Sequence, residues 1–465
     1  MDHLYQTLAG EIADLIAEGV YRPGDRLPGV RELSRRRNIS VATAVAAYRL
    51  LEDDGRIEAR PRSGFYVRHR QWQDIPQPGP SAPTVRPNPV TGQELTLRLV
   101  KAANDPRIVQ LGAAVPDQSF LPTRAVEQAL ANTVRKQRAR AVGYMFPPGV
   151  AELRREIARR MAEGGSVVNP DEIVVTNGCQ EALTLALRAV TKSGDVVAIE
   201  SPTFYGLLQV IDSLGLKALE IPTDPRRGIS LEALQLALEQ WPVRACVVVP
   251  NYSNPLGYCM PDERKRDLVA LLSRHGIPLI EDDVYGDLGF GTHRPSNCKA
   301  LDADVIYCSS FSKTLAPGLR VGWIAPGRHL EKVEYLKFIT NLGSTTSAQL
   351  AVAEVLQSGR YERHLRQVRR QFAQAVDRMI EAIGRHFPAD TRVTQPQGGF
   401  VVWVELAEDV DTLRLADRAL AEGVSIAPGP IFSPTQKYRN FLRLSCACPW
   451  DGRVERALSV LARLL

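Results

Sequence analysis

Residues 309–323 read Ser-Ser-Phe-Ser-Lys-Thr-Leu-Ala-Pro-Gly-Leu-Arg-Val-Gly-Trp. An apolar run precedes this stretch, so we expect Lys313 at the mouth of a β-strand, where open α/β sheets hold their ligands. Ser310 and Ser312 stand just before the lysine, and Arg320 follows it. Once its pKa is lowered, a lysine amine forms a Schiff base with an aldehyde, while hydroxyls and a guanidinium hold a phosphate. The stretch therefore suits an anionic cofactor that carries an aldehyde, although a surface lysine on a serine-rich loop is the alternative.

The composition is that of a soluble globular protein. The chain has 465 residues, 44% of them hydrophobic and 24% charged, and is too long for one ordinary domain. We expect no membrane attachment, because the N-terminus is polar and no apolar run approaches the roughly 18 residues of a membrane-spanning helix. Seven cysteines without paired spacing favour reduced thiols in the cytoplasm. The histidines show no ligand spacing, so we expect no metal, and the net charge of +6 permits contact with nucleic acid.

The composition changes sharply at residues 71–92, where prolines stand at positions 76, 78, 80, 83, 87 and 89. Such a density of proline is incompatible with the interior of a helix or a sheet, and it favours a semi-rigid extended linker. We therefore divide the chain into an N-terminal module of residues 1–70, a proline-rich linker of residues 71–104, and a C-terminal body of residues 105–465.

The body alternates strand-like runs with amphipathic helical segments. Strands are expected at residues 172–176, 196–200, 245–250, 277–281 and 304–308. Helices are expected between them at residues 180–191, 203–214, 231–240 and 261–275. This alternation predicts an α/β fold with a mainly parallel sheet that is covered by helices on both faces.

The N-terminal module has a different pattern. Residues 3–18 carry apolar side chains at helical spacing, and a second, short helix is expected over residues 30–37. Ser40 is a favourable N-cap for a third helix over residues 41–53. Residues 57–67 alternate around a Pro-Arg-Ser-Gly turn, which predicts a two-stranded hairpin. Three helices followed by a hairpin form a winged helix-turn-helix, an α+β fold.

Several segments of this module resemble, in order, the GntR family of bacterial transcription factors. They read Pro-Gly-Asp-Arg-Leu-Pro, Val-Arg-Glu-Leu, Ala-Tyr-Arg-Leu-Leu-Glu and Ser-Gly-Phe-Tyr-Val. The resemblance implies that the third helix enters the major groove of double-stranded DNA while the hairpin lies along the backbone. Arg31 matches the family's DNA-contacting arginine, and Ser40 and Thr43 are the candidates for base contact. Ser63 and Gly64 are the expected contacts of the hairpin.

Two features leave alternatives open in the module. Arg36 and Arg37 belong to a cluster of arginines on the second helix, and a solvated surface explains them equally well. The family often carries an arginine directly after the serine that opens the third helix, where this chain has Val41 followed by Ala42. Base readout would then depend on fewer hydrogen bonds and on apolar contacts to thymine methyl groups.

The stretch at 309–323 resembles as a whole the pyridoxal-phosphate lysine segment of fold-type I aminotransferases, and further motifs follow in that family's order over residues 105–465. One is Val-Val-Thr-Asn-Gly-Cys-Gln-Glu, a strand, a glycine turn and a helix start, which presents free N–H groups to a phosphate. The resemblance implies phosphate contacts from Gly178, Cys179 and Gln180. Because the family usually has Ser or Thr where this chain has Cys179, we expect phosphate binding there to depend on the backbone.

Other motifs imply contacts to the ring of pyridoxal phosphate. In Glu-Ser-Pro-Thr-Phe-Tyr-Gly, Phe204 is the expected stacking ring, and an ordinary core aromatic is the alternative. Asn254 and Tyr285 match the residues that contact the phenolic oxygen of the cofactor. Asp282, in Glu-Asp-Asp-Val-Tyr, matches the carboxylate that pairs with the pyridine nitrogen, and a solvated acidic pair is the alternative.

Three further matches concern the substrate and a second subunit. Tyr144 resembles the tyrosine that reaches the phosphate in the partner subunit, which implies a homodimer. Arg443 matches the arginine that binds the α-carboxylate of a substrate in a bidentate pair. Gly112 would let the backbone approach the ligand.

A GntR-like module joined to an aminotransferase-like body is the architecture of the MocR subfamily of regulators, which the chain resembles throughout. The resemblance implies a transcriptional regulator that senses an amino compound, or pyridoxal phosphate itself, through Schiff-base exchange at Lys313. An active aminotransferase with an appended DNA-binding module is the alternative, since every matched catalytic position is intact. A DNA-binding dimer whose body is only a scaffold is a third hypothesis.

Overall fold

The computed structural model describes residues 4–17, 20–21, 24–53, 56–60, 63–67, 75–291 and 293–465. The chain divides into two compact units. The smaller unit comprises Met1–Asp74 and Phe290–His293, and the larger comprises Ile75–Gly289 and Arg294–Leu465. The predicted organisation, a small N-terminal fold before a large α/β body, is thus present.

The smaller unit is a winged helix-turn-helix, as the sequence predicted. Its elements are α1 (Leu4–Ala17), α2 (Val30–Arg37), α3 (Val41–Asp53), β1 (Ile57–Arg60) and β2 (Gly64–Val67). The two strands pair antiparallel, with Ile57 opposite Val67. The core consists of the apolar side chains that face inward, among them Leu8, Ile12, Leu33, Tyr48 and Leu51.

Local hydrogen bonds fix the orientation of α3. Asn38 adopts the left-handed conformation that ends α2, with a φ of 51°. The backbone N–H of Thr43 donates to Ser40 Oγ at 3.0 Å, so Ser40 caps α3 as predicted. The buried Tyr48 hydroxyl donates to the carbonyl oxygen of Pro28 at 2.7 Å, which ties α3 to the turn before α2.

The larger unit contains the following helices and strands. The helices are α4 (Gln93–Ala102), α5 (Thr123–Gln137), α6 (Ala139–Val142), α7 (Ala151–Glu163), α8 (Cys179–Val190), α9 (Tyr205–Ser213), α10 (Leu231–Gln240), α11 (Asp262–Arg274), α12 (Leu330–Asn341), α13 (Thr346–Gln357), α14 (Arg360–His386), α15 (Thr412–Ala421) and α16 (Gly452–Leu464). The strands are β3 (Pro87–Asn88), β4 (Val109–Gln110), β5 (Val174–Thr176), β6 (Val196–Ser201), β7 (Lys217–Asp224), β8 (Gly228–Ile229), β9 (Val243–Val248), β10 (Leu279–Asp282), β11 (Ile306–Ser310), β12 (Gly322–Ala325), β13 (Arg392–Val393), β14 (Val401–Glu405), β15 (Val424–Ser425), β16 (Ala427–Pro428) and β17 (Phe441–Ser445).

The main sheet has the strand order β3-β7-β6-β9-β10-β11-β12-β5. Strands β7, β6, β9, β10 and β11 are parallel, and β12 is antiparallel to both of its neighbours, so β5 runs in the same direction as β11. One apolar cluster packs α8 and α9 against the sheet, and another packs α10 and α11 against it. The prediction of a mainly parallel sheet between helices is confirmed.

The topology determines where a ligand site can form. In the parallel pair β10–β11, Asp282 lies opposite Cys308, so both strands end at the same edge of the sheet. The chain leaves β11 at that edge to form the stretch that contains Lys313, and α8 begins at Cys179 directly after β5. Strand ends and a helix N-terminus therefore converge at one edge.

The proline-rich segment differs from the extended linker expected over residues 71–104. From Ile75 onward it packs along the larger unit: β3 pairs antiparallel with β7, and Ser81 Oγ donates to the carbonyl oxygen of Ser201 at 2.6 Å. Proline removes the N–H group only at its own position, so the residues between prolines still pair with a neighbouring strand. The proline-free end of the segment forms α4. Residues 71–74 lie outside the described part of the chain.

Among the helices of the described residues, none combines the length and the apolar character that crossing a bilayer requires. The seven cysteines are free thiols. Within the same described residues, no group of three or more His, Cys, Asp and Glu side chains is placed to hold a metal ion.

Candidate functional site

A cavity of about 130 Å³ lies where the ends of β10 and β11 meet the N-terminus of α8. Its lining residues are Cys179, Gln180, Leu183, Phe204, Val249, Asn254, Asp282, Val284, Tyr285, Ser310, Ser312, Lys313 and Arg320. All the residues predicted to contact the cofactor are among them, except Gly178 and Tyr144. Leu183, Val249 and Val284 were missed, because an apolar side chain that lines a cavity has the same sequence pattern as one in the core.

Lys313 projects into this cavity from the loop after β11. Its Nζ donates a hydrogen bond to the carbonyl oxygen of Ala114 at 2.6 Å. Burial, together with the positive charges of Arg443 and Arg320, lowers the pKa of Lys313 to about 8. A lysine with a pKa of about 8 has a much larger unprotonated fraction near neutral pH than an ordinary lysine, which makes it a better nucleophile.

One end of the cavity is suited to an anion. Arg320 donates from Nη1 to Ser312 Oγ at 3.3 Å and from Nη2 to the carbonyl oxygen of Asn177 at 3.2 Å. Gly178 precedes α8 with a φ of 85°, and a side chain there would collide with the Arg320 guanidinium. The first N–H groups of α8, from Cys179 onward, add the partial positive charge of a helix N-terminus. A guanidinium and backbone N–H groups therefore meet at this end of the cavity, which is what binding of a phosphate requires.

Three consecutive carboxylates, the last two residues of β10 and the residue after it, have different surroundings. Glu281 accepts hydrogen bonds from two backbone N–H groups, one on each oxygen. Both oxygens of Asp283 are also engaged, one by Asn251 at 2.9 Å and the other by Arg294 at 2.5 Å. Asp282 is the one of the three that lines the cavity.

The two carboxylate oxygens of Asp282 differ in their hydrogen bonds. Oδ1 accepts a hydrogen bond from the Cys179 thiol at 3.4 Å and another from the Val284 N–H at 3.3 Å. Oδ2 accepts none from the described residues. Burial raises the pKa of Asp282 to about 6, and the bonds from Cys179 and Val284 oppose that rise.

Aromatic and amide groups complete the cavity. Phe204 lines it, whereas the neighbouring Tyr205 packs against Phe432 at a ring-centroid distance of 5.7 Å. Asn254 Nδ2 donates to the hydroxyl oxygen of Tyr285 at 3.5 Å. Burial raises the pKa of Tyr285, so its hydroxyl stays protonated and can donate to an oxygen in the cavity.

Arg443, on β17, is fully buried beside the cavity. Its Nη1 donates to Asn254 Oδ1 at 3.3 Å and its Nη2 donates to the carbonyl oxygen of Gly112, whereas its Nε has no hydrogen-bond partner among the described residues. No carboxylate of the described residues pairs with it. A buried guanidinium without an acidic partner is costly, and an anionic ligand would offset that cost. A side chain at Gly112 would lie 2.5 Å from both Leu99 and Ser425, which explains the glycine.

Tyr144 is not part of the cavity. It is 78% exposed, and its ring stacks on Phe146 with a centroid distance of 5.8 Å. Phe146 in turn contacts Phe338 at 6.1 Å. The contact predicted between Tyr144 and a partner subunit stays a prediction, and these three rings form an exposed aromatic cluster.

The residues predicted to contact DNA lie in the smaller unit. Ser40 and Thr43 share a hydrogen bond of 2.8 Å between their hydroxyls, and Val41 is 49% exposed beside them. On the hairpin, Ser63 Oγ shares a hydrogen bond of 2.6 Å with the Tyr66 hydroxyl. Gly64 has a φ of 112°, a conformation that favours glycine.

The arginines of α2 differ in their partners. Arg36 pairs with Glu32 at 2.5 Å and Arg37 pairs with Glu11 at 2.9 Å. Arg31 is exposed and forms no ion pair with any described residue. Of these three guanidiniums, Arg31 therefore has its charge free for a phosphate or a base edge.

Comparisons with known proteins agree with both units. Residues 4–67 match the gntR family of bacterial regulatory proteins, and residues 106–461 match class I and II aminotransferases. The uncharacterized HTH-type transcriptional regulator YjiR of Escherichia coli is 42% identical over 456 residues, which cover 98% of this chain and 97% of that protein. The 2-aminoadipate transaminase of Thermus thermophilus is 32% identical over 362 residues, 76% of this chain and 89% of that enzyme.

A solved structure connects the cavity to its cofactor. LysN, an α-aminoadipate aminotransferase from Thermus thermophilus complexed with N-(5'-phosphopyridoxyl)-L-leucine, has a TM-score of 0.73 at 30% identity, covering 80% of this chain and 94% of that one. The cavity fits pyridoxal phosphate, because it offers a lysine amine, a carboxylate oxygen without a partner and a cationic end. The cofactor inferred from the sequence is confirmed. The chain therefore belongs to the class I and II aminotransferase family and carries a gntR-family DNA-binding module, the arrangement of MocR-type transcriptional regulators.

Proposed function

We propose that the protein regulates transcription by binding double-stranded DNA through its N-terminal module and sensing an amino compound in the pyridoxal-phosphate cavity. The observation that carries the proposal is Lys313, an amine of lowered pKa placed between an anion-binding helix end and the free Asp282 oxygen. This lysine stands in the same chain as a gntR-family module. We place the protein in the cytoplasm, where DNA and free thiols are both found.

Each residue of the cavity has a distinct task. Arg320, Ser312 and the N-terminus of α8 would hold the phosphate, Phe204 would cover the ring, and Asp282 would pair with the pyridine nitrogen. Pyridoxal phosphate supplies an aldehyde and an electron-withdrawing ring when it is bound. The unprotonated amine of Lys313 would attach to that aldehyde, and an incoming amine would compete with the lysine for it.

Arg443 supports a carboxylate-bearing effector. It is fully buried, and its Nε has no partner among the described residues. A carboxylate can accept two parallel hydrogen bonds from one guanidinium, which a neutral amine cannot offer. We therefore place α-amino acids ahead of simple amines as effectors.

The exposed aromatic cluster of Tyr144, Phe146 and Phe338 supports a homodimer. Contiguous exposed aromatic surface is typical of protein–protein contacts. A dimer also presents two DNA-binding modules, so that binding of the first raises the effective concentration of the second at a neighbouring half-site.

An active aminotransferase is the second candidate function. It is favoured by the similarity of residues 106–461 to class I and II aminotransferases and by the predicted cofactor contacts that line the cavity, all of them except Gly178 and Tyr144. The two functions differ in their products: an enzyme turns over amino acids with a 2-oxo acid, whereas a regulator changes its affinity for DNA.

The first test is uptake of pyridoxal phosphate by the purified full-length protein. We expect a visible absorbance band that borohydride reduction fixes to the protein, because the Lys313 amine attaches to the aldehyde. Lys313→Ala should lose the band, and Lys192→Ala, which removes an exposed lysine, should keep it.

The second test measures how the loaded protein protects the DNA upstream of its own gene. Addition of an amino acid should alter this protection in the wild type and not in Lys313→Ala. Turnover at ordinary enzymatic rates without any DNA preference would instead establish the aminotransferase.

A further inference from the structure

The thiol of Cys179 contacts Asp282, although its sequence position at the start of α8 suggests a contact with a phosphate. Cys179 opens α8, beside the anion-binding groups, yet its buried Sγ donates a hydrogen bond to Asp282 Oδ1 at 3.4 Å. Burial and the nearby negative charge of Asp282 raise the pKa of this thiol well above its usual value. The thiol therefore stays protonated, so it can act as a donor to the carboxylate.

The second donor to the same oxygen is the Val284 N–H, at 3.3 Å. With Oδ1 held from two directions, the plane of the Asp282 carboxylate is restrained, and Oδ2 is the oxygen left without a hydrogen bond from the described residues. Asp282 is only 7% exposed and lines the cavity. This oxygen is therefore available to a hydrogen-bond donor on a ligand in the cavity.

We propose that Cys179 is a positioning residue, whose thiol holds Asp282 by Oδ1 so that Oδ2 is presented to the pyridine nitrogen of pyridoxal phosphate. This inference rests on the proposed function, since it requires that the cofactor binds.

The role predicts a pH dependence. The charged and titratable groups that face Asp282 are Cys179, Glu200, Asp283, Tyr285, Cys308 and Lys313. Burial and the charge of Asp283 raise the pKa of Asp282, and the hydrogen bonds from Cys179 and Val284 and the charge of Lys313 lower it. Loss of the thiol therefore raises the pKa of Asp282, so the carboxylate becomes protonated at a higher pH than in the wild type. A protonated carboxyl group is a weaker partner for the pyridine nitrogen.

The experiment measures the affinity of the full-length protein for pyridoxal phosphate across a pH series, by visible absorbance. In the wild type, affinity should fall as the pH decreases through the pKa of Asp282. In Cys179→Ala the fall should begin about 0.5–1 pH unit higher, because a hydrogen bond to the charged form is lost. Cys179→Ser should return the midpoint toward the wild-type value, since a hydroxyl is also a donor. Cys179→Val, which fills the space without a donor, should behave as Cys179→Ala.

Cys308→Ala is the matched control. Cys308 is a fully buried thiol opposite Asp282 in the β10–β11 register, but its thiol forms no hydrogen bond with the described residues. Its loss should lower thermal stability and leave the pH midpoint in place. Wild-type midpoints in Cys179→Ala and Cys179→Val would show that the thiol does not act on Asp282, and the inference would be wrong. A wild-type protein that takes up no pyridoxal phosphate at any pH would refute the proposed function and this inference with it.

Discussion

At the scale of residues, the three adjacent carboxylates Glu281, Asp282 and Asp283 show how burial and partners assign different roles to similar side chains. Asp283 is neutralised by Arg294, and Glu281 is held by backbone N–H groups, whereas Asp282 keeps one oxygen free. Asp283–Arg294 is a buried ion pair, and removing Asp283 would leave Arg294 with Asp287 as its carboxylate partner. The free oxygen of Asp282 is the one that we propose contacts the ligand.

Asp282→Asn and Asp283→Asn should therefore affect different properties, cofactor affinity in the first variant and stability in the second. Asp282→Asn replaces a charge-assisted hydrogen bond worth about 1.5–3 kcal/mol, so we expect pyridoxal-phosphate affinity to fall roughly tenfold or more with little change in thermal stability. Asp283→Asn removes one of the two carboxylates that neutralise the buried Arg294, whose Nε still pairs with Asp287 at 2.8 Å, so we expect a loss of about 1.5–3 kcal/mol of unfolding free energy. Cofactor titration and thermal unfolding of both variants make the comparison. Weaker cofactor binding in Asp283→Asn than in Asp282→Asn would reverse the two assignments.

At the scale of elements, α2 and α3 present different chemistry to a DNA duplex. The Ser40 and Thr43 hydroxyls are bonded to each other at the start of α3, next to the exposed Val41. Two hydroxyls that already satisfy one another gain less from a base edge than free ones. On α2, Arg36 and Arg37 are paired with carboxylates, and Arg31 is not.

We expect Arg31→Ala to weaken binding to the DNA upstream of the gene by about 1–3 kcal/mol if the arginine contacts a base, and by less if it meets only phosphate. Arg36→Ala is the matched control, since its charge is already compensated by Glu32 at 2.5 Å, and it should have a smaller effect. Fluorescence anisotropy at two salt concentrations separates the cases, because a lost phosphate contact lowers the salt dependence. Equal losses in the two variants would remove the special role of Arg31.

At the scale of the whole molecule, the exposed cluster of Tyr144, Phe146 and Phe338 is the surface that we propose contacts a second copy of the chain. The rings contact one another at 5.8 and 6.1 Å while remaining exposed. Aromatic side chains bury large areas at little entropic cost, so a small cluster of them can dominate an interface.

We expect Phe146→Asp to shift the protein from dimer to monomer, because a carboxylate would have to be buried without a partner at the interface. Sedimentation velocity measures the change, and DNA affinity should fall in parallel because the second module is lost. Val167→Asp is the control, since Val167 is 96% exposed and lies outside the cluster. A wild-type protein that sediments as a monomer would refute the dimer. If the Phe146→Asp variant still sediments as a dimer, the dimer interface does not include the aromatic cluster.

The sequence by itself determined the elements and their order. The helices and hairpin of the smaller unit, the alternation of the body and the position of Lys313 all follow from local periodicity, caps and turns, which depend on neighbours a few residues away. For the same reason, the strands and helices predicted in the body lie close to their observed bounds. The gntR and aminotransferase resemblances also come from contiguous motifs, so they too could be recognised without a structure.

Only the tertiary structure decided which groups meet. Cys179 and Asp282 are 103 positions apart, and no local pattern indicates that the thiol points to the carboxylate. Whether Asp282 or Asp283 faces the cavity depends on Arg294 and Asn251, which arrive from other loops. The packing of the chain from Ile75 onward depends on hydrogen bonds to β6 and β7. Hydrogen bonds and burial between distant segments set these contacts, because the chain must close long loops before such partners can meet.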